Sequence, residues 1–523
     1  MNNQINKETG KFRRNAKATP RRRNKWMVGG MGLLAAAAVT QTAHAQSTDP
    51  LLDLMIKKGI VTQDEAQKVQ AELDANKTNS MAFASSKWKI NSGIKDIELY
   101  GDFRVRFEDR AVNVPGNARL ELQRYRYAVR LGLRGNLQDD FYYGLRVETA
   151  ANPRSPWATF GTSASGTPYQ GPFGKSTAGI NVGQVFLGWR PADWVDLTVG
   201  KMPNPLYTTP MTWDTDLNPE GLAERFKYKV EDVDFFATFG QFVYQDTNPD
   251  TAGPGLVSAI PSGQDTAALF LLSWQAGLTY HIKKDISLKA AVTLYNYTGH
   301  GHNAAPGTFV PGFPDTFVGE SGPISGQNQP PGSLNDGFFF NQTGVNDLQV
   351  IDVPFELNFK ISELNARFFG DFAENLDGTK RAEAAAATVV ATIPASNFTA
   401  QRHDDKAYQV GFALGNREPL GLVYGSVAKK GMWEARGYWQ HVEQYALDPN
   451  LLDSDFFEGR GNLEGFYSAV AYSFTDNMIG TLRFGYASRI NKNLGTGGSN
   501  QDIPQVNPID RYKILQVDLT YKF

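Results

Sequence analysis

The stretch Leu515-Gln516-Val517-Asp518-Leu519-Thr520-Tyr521-Lys522-Phe523 alternates in character without a break. Leu515, Val517, Leu519, Tyr521 and Phe523 fall on one side, and Gln516, Asp518, Thr520 and Lys522 on the other. Side chains of a strand point to opposite faces with period two, so this segment reads as a strand with one apolar and one charged face. The pattern recurs from Ile97 onward. Ile97, Leu99, Phe103, Val105 and Phe107 oppose Glu98, Asp102, Arg104, Arg106 and Glu108. Tyr125, Tyr127, Val129, Leu131 and Leu133 oppose Arg124, Arg126, Arg130 and Arg134, and Phe141, Tyr143, Leu145 and Val147 oppose Tyr142, Arg146 and Glu148.

Further segments of this kind lie near 181–190, 195–202, 221–229, 232–244, 268–281, 286–297, 348–361, 363–373, 406–416, 431–442, 465–475, 478–489 and 511–523. The fold class expected is all-β: a transmembrane antiparallel β-barrel of about sixteen strands (sixteen to eighteen) behind a short N-terminal helical segment. The links support a barrel. A long one at 108–121 is followed by the short 136–139, 151–180 by 191–194, and 298–347 by 362–363. Outer-membrane barrels sort their connections this way, with tight turns on one side and extended loops on the other. The break in the pattern is 416–431, which contains the strand-like Leu420-Gly421-Leu422-Val423-Tyr424 and leaves the strand count open by two.

Composition fits this picture. The 523 residues include 51 Gly and no Cys, and 12% are aromatic. Mean hydropathy is −0.38. No segment of the expected mature chain has the ~20 consecutive apolar residues that a membrane helix needs, a requirement barrels escape because only alternate side chains face lipid. Residues 1–45 read as a signal peptide: a basic stretch from Lys11 to Lys25, an apolar run from Met27 to Thr40, and the small-residue site Ala43-His44-Ala45. Its removal takes nine Lys/Arg and one acid, leaving 43 basic and 53 acidic residues, which excludes a nucleic-acid binder on bulk charge. Residues 46–76 are expected to form a periplasmic helical or coiled-coil segment. Leu51, Leu52, Met55 and Ile56 form one stripe, and Thr62 stands three residues before Glu65 in a capping-box spacing. Residues 77–94 read as a linker, and 95–523 as the barrel.

Tyr424 to Glu434 (YGSVAKKGMWE), continuing to Tyr438-Trp439-Gln440-His441-Val442-Glu443 and the acidic Asp448–Asp455 stretch, resembles the bacterial putative porin family. Leu51 to Val61 (LLDLMIKKGIV) is similar to that family and to the phosphate-selective porins O and P. Val199-Gly200-Lys201-Met202-Pro203, Trp213-Asp214 and Pro219-Glu220-Gly221 look like the same relatives. Met432 stands where the family pattern has Asp. A terminal strand ending on an aromatic is also similar to the assembly signal of outer-membrane barrels. The resemblance implies a passive channel in the bacterial outer membrane, surrounded by lipid, homotrimeric and without a cofactor. It also implies that the long loop 203–220 folds inward as a constriction, with Asp214, Asp216 and Glu220 facing the opposite wall.

The chemistry expected of that wall comes from Arg104, Arg106, Arg124, Arg126, Arg130, Arg134 and Arg146, which share the inward faces of the first three strands. Guanidinium groups keep their charge and offer donor forks suited to carboxylate or phosphate, so a wet lumen lined by them favours small hydrophilic anions. The alternative is that they pair with Glu98, Asp102, Glu108 and Glu148 and merely solvate the lumen. Aromatics such as Trp189, Trp194, Trp274 and Trp439 read as a membrane-interface girdle; the alternative, a sugar-stacking slide along the lumen, would need inward Tyr295, Tyr297, Phe369 and Tyr438. Catalysis finds little support: no Ser is placed convincingly beside His441, and His300-Gly301-His302, which could bind a metal, reads rather as two solvated histidines in a Gly-rich loop. The rival function is a surface adhesin or structural protein anchored by its barrel.

Overall fold

The computed structural model describes residues 95–115, 119–150, 155–161, 179–245, 269–298, 348–380, 403–426, 429–496 and 508–523, with a few other positions. The expected signal peptide and nearly all of the helical segment and linker lie outside the described residues. The barrel lies within the unit that holds Lys95 to Phe523.

Sixteen antiparallel strands are described in the barrel. They are β1 (Glu98–Asn113), β2 (Arg119–Asn136), β3 (Phe141–Ala150), β4 (Gly179–Ala192), β5 (Val195–Lys201), β6 (Glu220–Val230), β7 (Val233–Gln245) and β8 (Leu269–Lys283). The second half comprises β9 (Ile286–Thr298), β10 (Gln349–Asp352 continuing as Phe355–Ile361), β11 (Leu364–Asn375), β12 (Lys406–Gly415), β13 (Trp433–Val442), β14 (Leu463–Ser473), β15 (Met478–Arg489) and β16 (Arg511–Lys522). Each pairs with its neighbours in sequence, and β16 returns to β1 from Asp102↔Lys522 to Asn113↔Arg511. The break inside β10 falls at Val353-Pro354, where proline has no N–H to give the ladder.

Alternation places the apolar residues outside. Val517, Leu519, Tyr521 and Phe523 are exposed, while Gln516, Asp518 and Thr520 between them are buried. Trp189, Trp194, Trp274 and Trp439 also stand exposed on the outer surface. In water such a belt would aggregate; in lipid it is the solvated face. The seam closes at the chain end: Gly101 and Phe523 exchange backbone hydrogen bonds of 3.0 and 3.1 Å. A Cβ on Gly101 would lie 2.4 Å from the Arg130 carbonyl oxygen and 2.7 Å from the Phe523 ring, so only glycine admits this approach.

Two expectations change. The first hairpin is longer than expected, because in-register pairing continues through Asp109↔Gln123 to Asn113↔Arg119. Residues 108–113 and 119–121 are therefore strand, with Val112 in the buried core and Leu120 packed against it. Leu420–Tyr424 is not a strand but ends in a single 3-10 turn, Leu422–Tyr424, with Leu422 and Val423 fully buried. The barrel wall therefore counts sixteen strands among the described residues, apart from the two-residue Ala158–Thr159 paired onto β2 and a separate two-stranded sheet, Phe317–Val318 with Thr343–Gly344.

Replacing Gly101 by Val should force the seam apart and cost about 2 kcal/mol. Urea unfolding in lipid vesicles would register this as a lower midpoint, whereas an unchanged midpoint would contradict the close packing.

Candidate functional site

The register of β1 and β2 decides what the inward charges meet. Glu98 lies opposite Arg134, Asp102 opposite Arg130, and Glu108 opposite Arg124. The rung through Asp102 continues on both sides, to Lys522 on β16 and to Glu148 on β3, giving a row of alternating sign across four strands. Opposite charges facing across a ladder stabilise it. One rung sets like charges face to face, Arg106 against Arg126. Trp157, from the link after β3, lies over that pair, with Arg106 Cζ 4.1 Å from its ring centroid and Arg126 Cζ 5.9 Å away.

The seven arginines expected on this wall all have a carboxylate within ion-pair distance. Arg104 reaches Asp102 at 2.6 Å, Arg124 reaches Glu108 at 2.6 Å, Arg126 lies 3.9 Å from Glu108, and Arg134 meets Glu98 at 2.8 Å. Arg146 lies 3.3 Å from Glu148, and Arg130 joins Glu148 at 3.0 Å and also bonds Asp216. Arg106 is forked, Nε to Asp518 at 2.7 Å and Nη1 to Asp455 at 2.8 Å. A buried guanidinium left alone would carry a large desolvation cost, and these contacts offset it.

Three segments enter the lumen. The link 202–219 is pinned to the far wall: the Tyr207 N–H donates to Gln275 Oε1 at 2.8 Å, Gln275 Nε2 donates back to the Tyr207 carbonyl at 2.8 Å, and the Thr209 hydroxyl donates to Asp371. Met211 and Trp213 are buried on it, Trp213 against Phe242 and Tyr295. The link 443–462 meets it where the Asp214 N–H donates to the Leu451 carbonyl at 2.6 Å and the Ser454 N–H donates to Asp214 Oδ2 at 3.0 Å. From the opposite end comes the turn carrying Leu420, Leu422 and Val423. The inward aromatics Tyr295, Tyr297, Phe369 and Tyr438 are all buried. Tyr295, Tyr297 and Phe369 pack within the buried filling, while Tyr438 borders a space on the β15–β16–β1–β2–β3 side.

That space is a cavity of about 400 Å³. Arg104, Arg106, Arg130, Arg134 and Arg146 line it, joined by Arg483 and Lys522. Facing them are Asp214 and Asp216 on one inward link and Asp453 and Asp455 on the other, with Glu98, Asp102, Asp476 and Asp518 from the wall and its rim. Arg124 and Arg126 are not among its lining; they belong to a buried network around Glu108 that includes Arg110. Glu220 begins β6, pairs with Lys201 and is exposed, so it does not face the arginines. Asp453, Asp455, Arg483, Lys522 and Trp157 were not expected as site residues. The acidic run Asp448–Asp455 and the charged face of the final strand were visible signals, but sequence spacing does not tell which loop turns inward.

Burial, together with the neighbouring Asp216, pushes the Asp214 carboxyl up to about 7, although backbone N–H groups of Asp216 and Ser454 partly oppose the shift. Asp453 is also raised, by burial and by Asp214 beside it. Asp455 goes the other way, because Arg106 and Arg110 hold it ionised against its own burial.

Among curated proteins none matches the chain in sequence. Several solved porin structures resemble it. OprB of Pseudomonas putida is 12% identical over 82% of this chain and 94% of its own, at a TM-score of 0.43. The anion-selective porin of Comamonas acidovorans is 7% identical, with 82% and 99% covered and a TM-score of 0.38. Salmonella typhi OmpF, solved with daunomycin, is 10% identical, with 83% and 99% covered and a TM-score of 0.38. The family model described as putative porin matches residues 96–308 and 345–523, nearly the whole barrel. The chain therefore belongs to the putative porin family, whose members are non-enzymatic barrels of the outer membrane.

Proposed function

We propose that this barrel is a passive channel for small hydrophilic solutes with a mild preference for anions. The observation that carries the reading is the wet cavity held between the arginine-bearing wall and two acidic inward links. Charge balance gives the sign. Seven cationic and eight acidic side chains line the cavity. Burial and crowding raise both Asp214 and Asp453. As pH falls through about 7 the ionised acids therefore drop toward and below the number of cations, and a wet lumen of one net sign enriches counter-ions. Width excludes large solutes, since the inward links pack against much of the rest of the bore. Export after loss of residues 1–45, a periplasmic helical prelude and assembly as a homotrimer in outer-membrane lipid belong to the same reading.

The filled lumen also favours a second reading, a barrel that anchors surface loops and passes nothing. Liposome swelling separates the two: a channel admits a small anion such as chloride and swells the vesicles, and an anchor leaves them unchanged.

Replacing Arg104 and Arg134 together by Ala should lower the anion-to-cation permeability ratio, read from reversal potentials in a salt gradient. The pair Arg124→Ala and Arg126→Ala should leave that ratio nearly unchanged, because neither side chain lines the cavity. Equal effects of the two pairs would defeat the proposed path.

Acidity should tune the same ratio. A carboxyl titrating near 7 is neutral below that value and charged above it, so anion preference should be greater at about pH 6 than at about pH 8. Asp214→Asn should flatten the dependence. The folded chain also holds a proton that free aspartate releases near pH 4, so docking of the link weakens as pH rises from about 4 to 7.

A further inference from the structure

We propose that Arg417–Ser426, entering from the periplasmic end, forms a second selectivity constriction in series with the one built by the outer links. The inference rests on the channel reading and adds to it a specificity-determining element. Other turns at this end are short, with Glu231-Asp232, Lys284-Asp285 and Ser362-Glu363 sufficing between strands. A longer turn left in water would need no anchoring, yet this one is fixed inside. The Glu434 carboxylate accepts the N–H groups of Gly421 and Leu422, and the Ser426 hydroxyl donates to the Gly421 carbonyl at 2.8 Å.

Two cations of the cavity wall reach the same turn from separate strands. Arg483 Nη2 donates to the Val423 carbonyl at 2.9 Å, and Lys522 Nζ donates to the Gly425 carbonyl. The turn therefore sits against the cationic side of the cavity, and both Tyr424 and Gly425 line that cavity. Gly425 holds φ at 74°, a conformation that side chains rarely adopt, which lets its carbonyl meet the ammonium.

The outer and inner constrictions are joined by shared ions. Asp455 of the outer link holds Arg106, Arg106 holds Asp518, and Asp518 holds Arg483, which holds the turn. A small anion leaving Arg106 next meets Arg483 and then Lys522, so the last step before the periplasm runs past Tyr424. The turn sets the width there.

The chain contains no cysteine, so Tyr424→Cys supplies a unique thiol. In planar bilayers, a charged methanethiosulfonate reagent should cut its unitary current to about half or less, with wild type unaffected. Replacing Leu420–Ser426 by Gly-Gly should raise unitary conductance about twofold or more, in protein whose heat-modifiable gel mobility shows a folded barrel. Wild-type conductance in both folded variants, with no block by the reagent, overturns the inference and leaves the channel reading standing. A silent wild type with a conducting Gly-Gly variant overturns the channel reading and the inference with it, because the turn then closes the bore instead of filtering within it. Silence in all of them overturns both.

Discussion

Lipid offers no partner to a backbone N–H or C=O, and that single deficit dictates this architecture. A spanning sheet must leave no edge, so the final strand has to find the first. Here it does so from Asp102↔Lys522 to Asn113↔Arg511, and the terminal Phe523 adds a last pair with Gly101. The rest is a consequence of closure. Once the cylinder exists, the period of two sends one set of side chains to lipid and the other to a shared interior.

That interior is crowded, and crowding changes what its charges do. Arginines in an open bore would be hydrated and free to meet solutes. In this one, links 202–219 and 443–462 and the turn after β12 fill much of the space, so each guanidinium needs a carboxylate close by. The row of alternating sign across β16, β1, β2 and β3, together with Asp216 and Asp455 of the inward links, contributes these partners. Asp214 and Asp453 show the effect of crowding on the acidic side: set beside each other with little exposure, they are harder to ionise.

Much of the fold was legible because period two survives any choice of partner. β1, β2 and β16 could be read from alternation alone, and the link lengths told which end was which. The ends of β1 and β2 were not legible, because Asp109 and Asn113 carry no apolar signal and are held only by in-register pairing. Leu420–Tyr424 misled for the opposite reason. Its apolar residues suit a strand, yet Gly421 and Gly425 turn the chain back and Glu434 caps it. At the site, the arginines were found by residue type, but their roles split by depth. Arg104 and Arg134 meet the cavity while Arg124 and Arg126 serve the Glu108 network, and nothing in the sequence distinguishes the two pairs.

The central claim is a closed cylinder whose wet path is a narrow charged slot. Unitary current through the purified protein in a planar bilayer tests it most directly. The account predicts discrete, ohmic steps much smaller than those of an unobstructed sixteen-strand bore. Steps of full-bore size, or a membrane that stays silent with folded protein inserted, would contradict it.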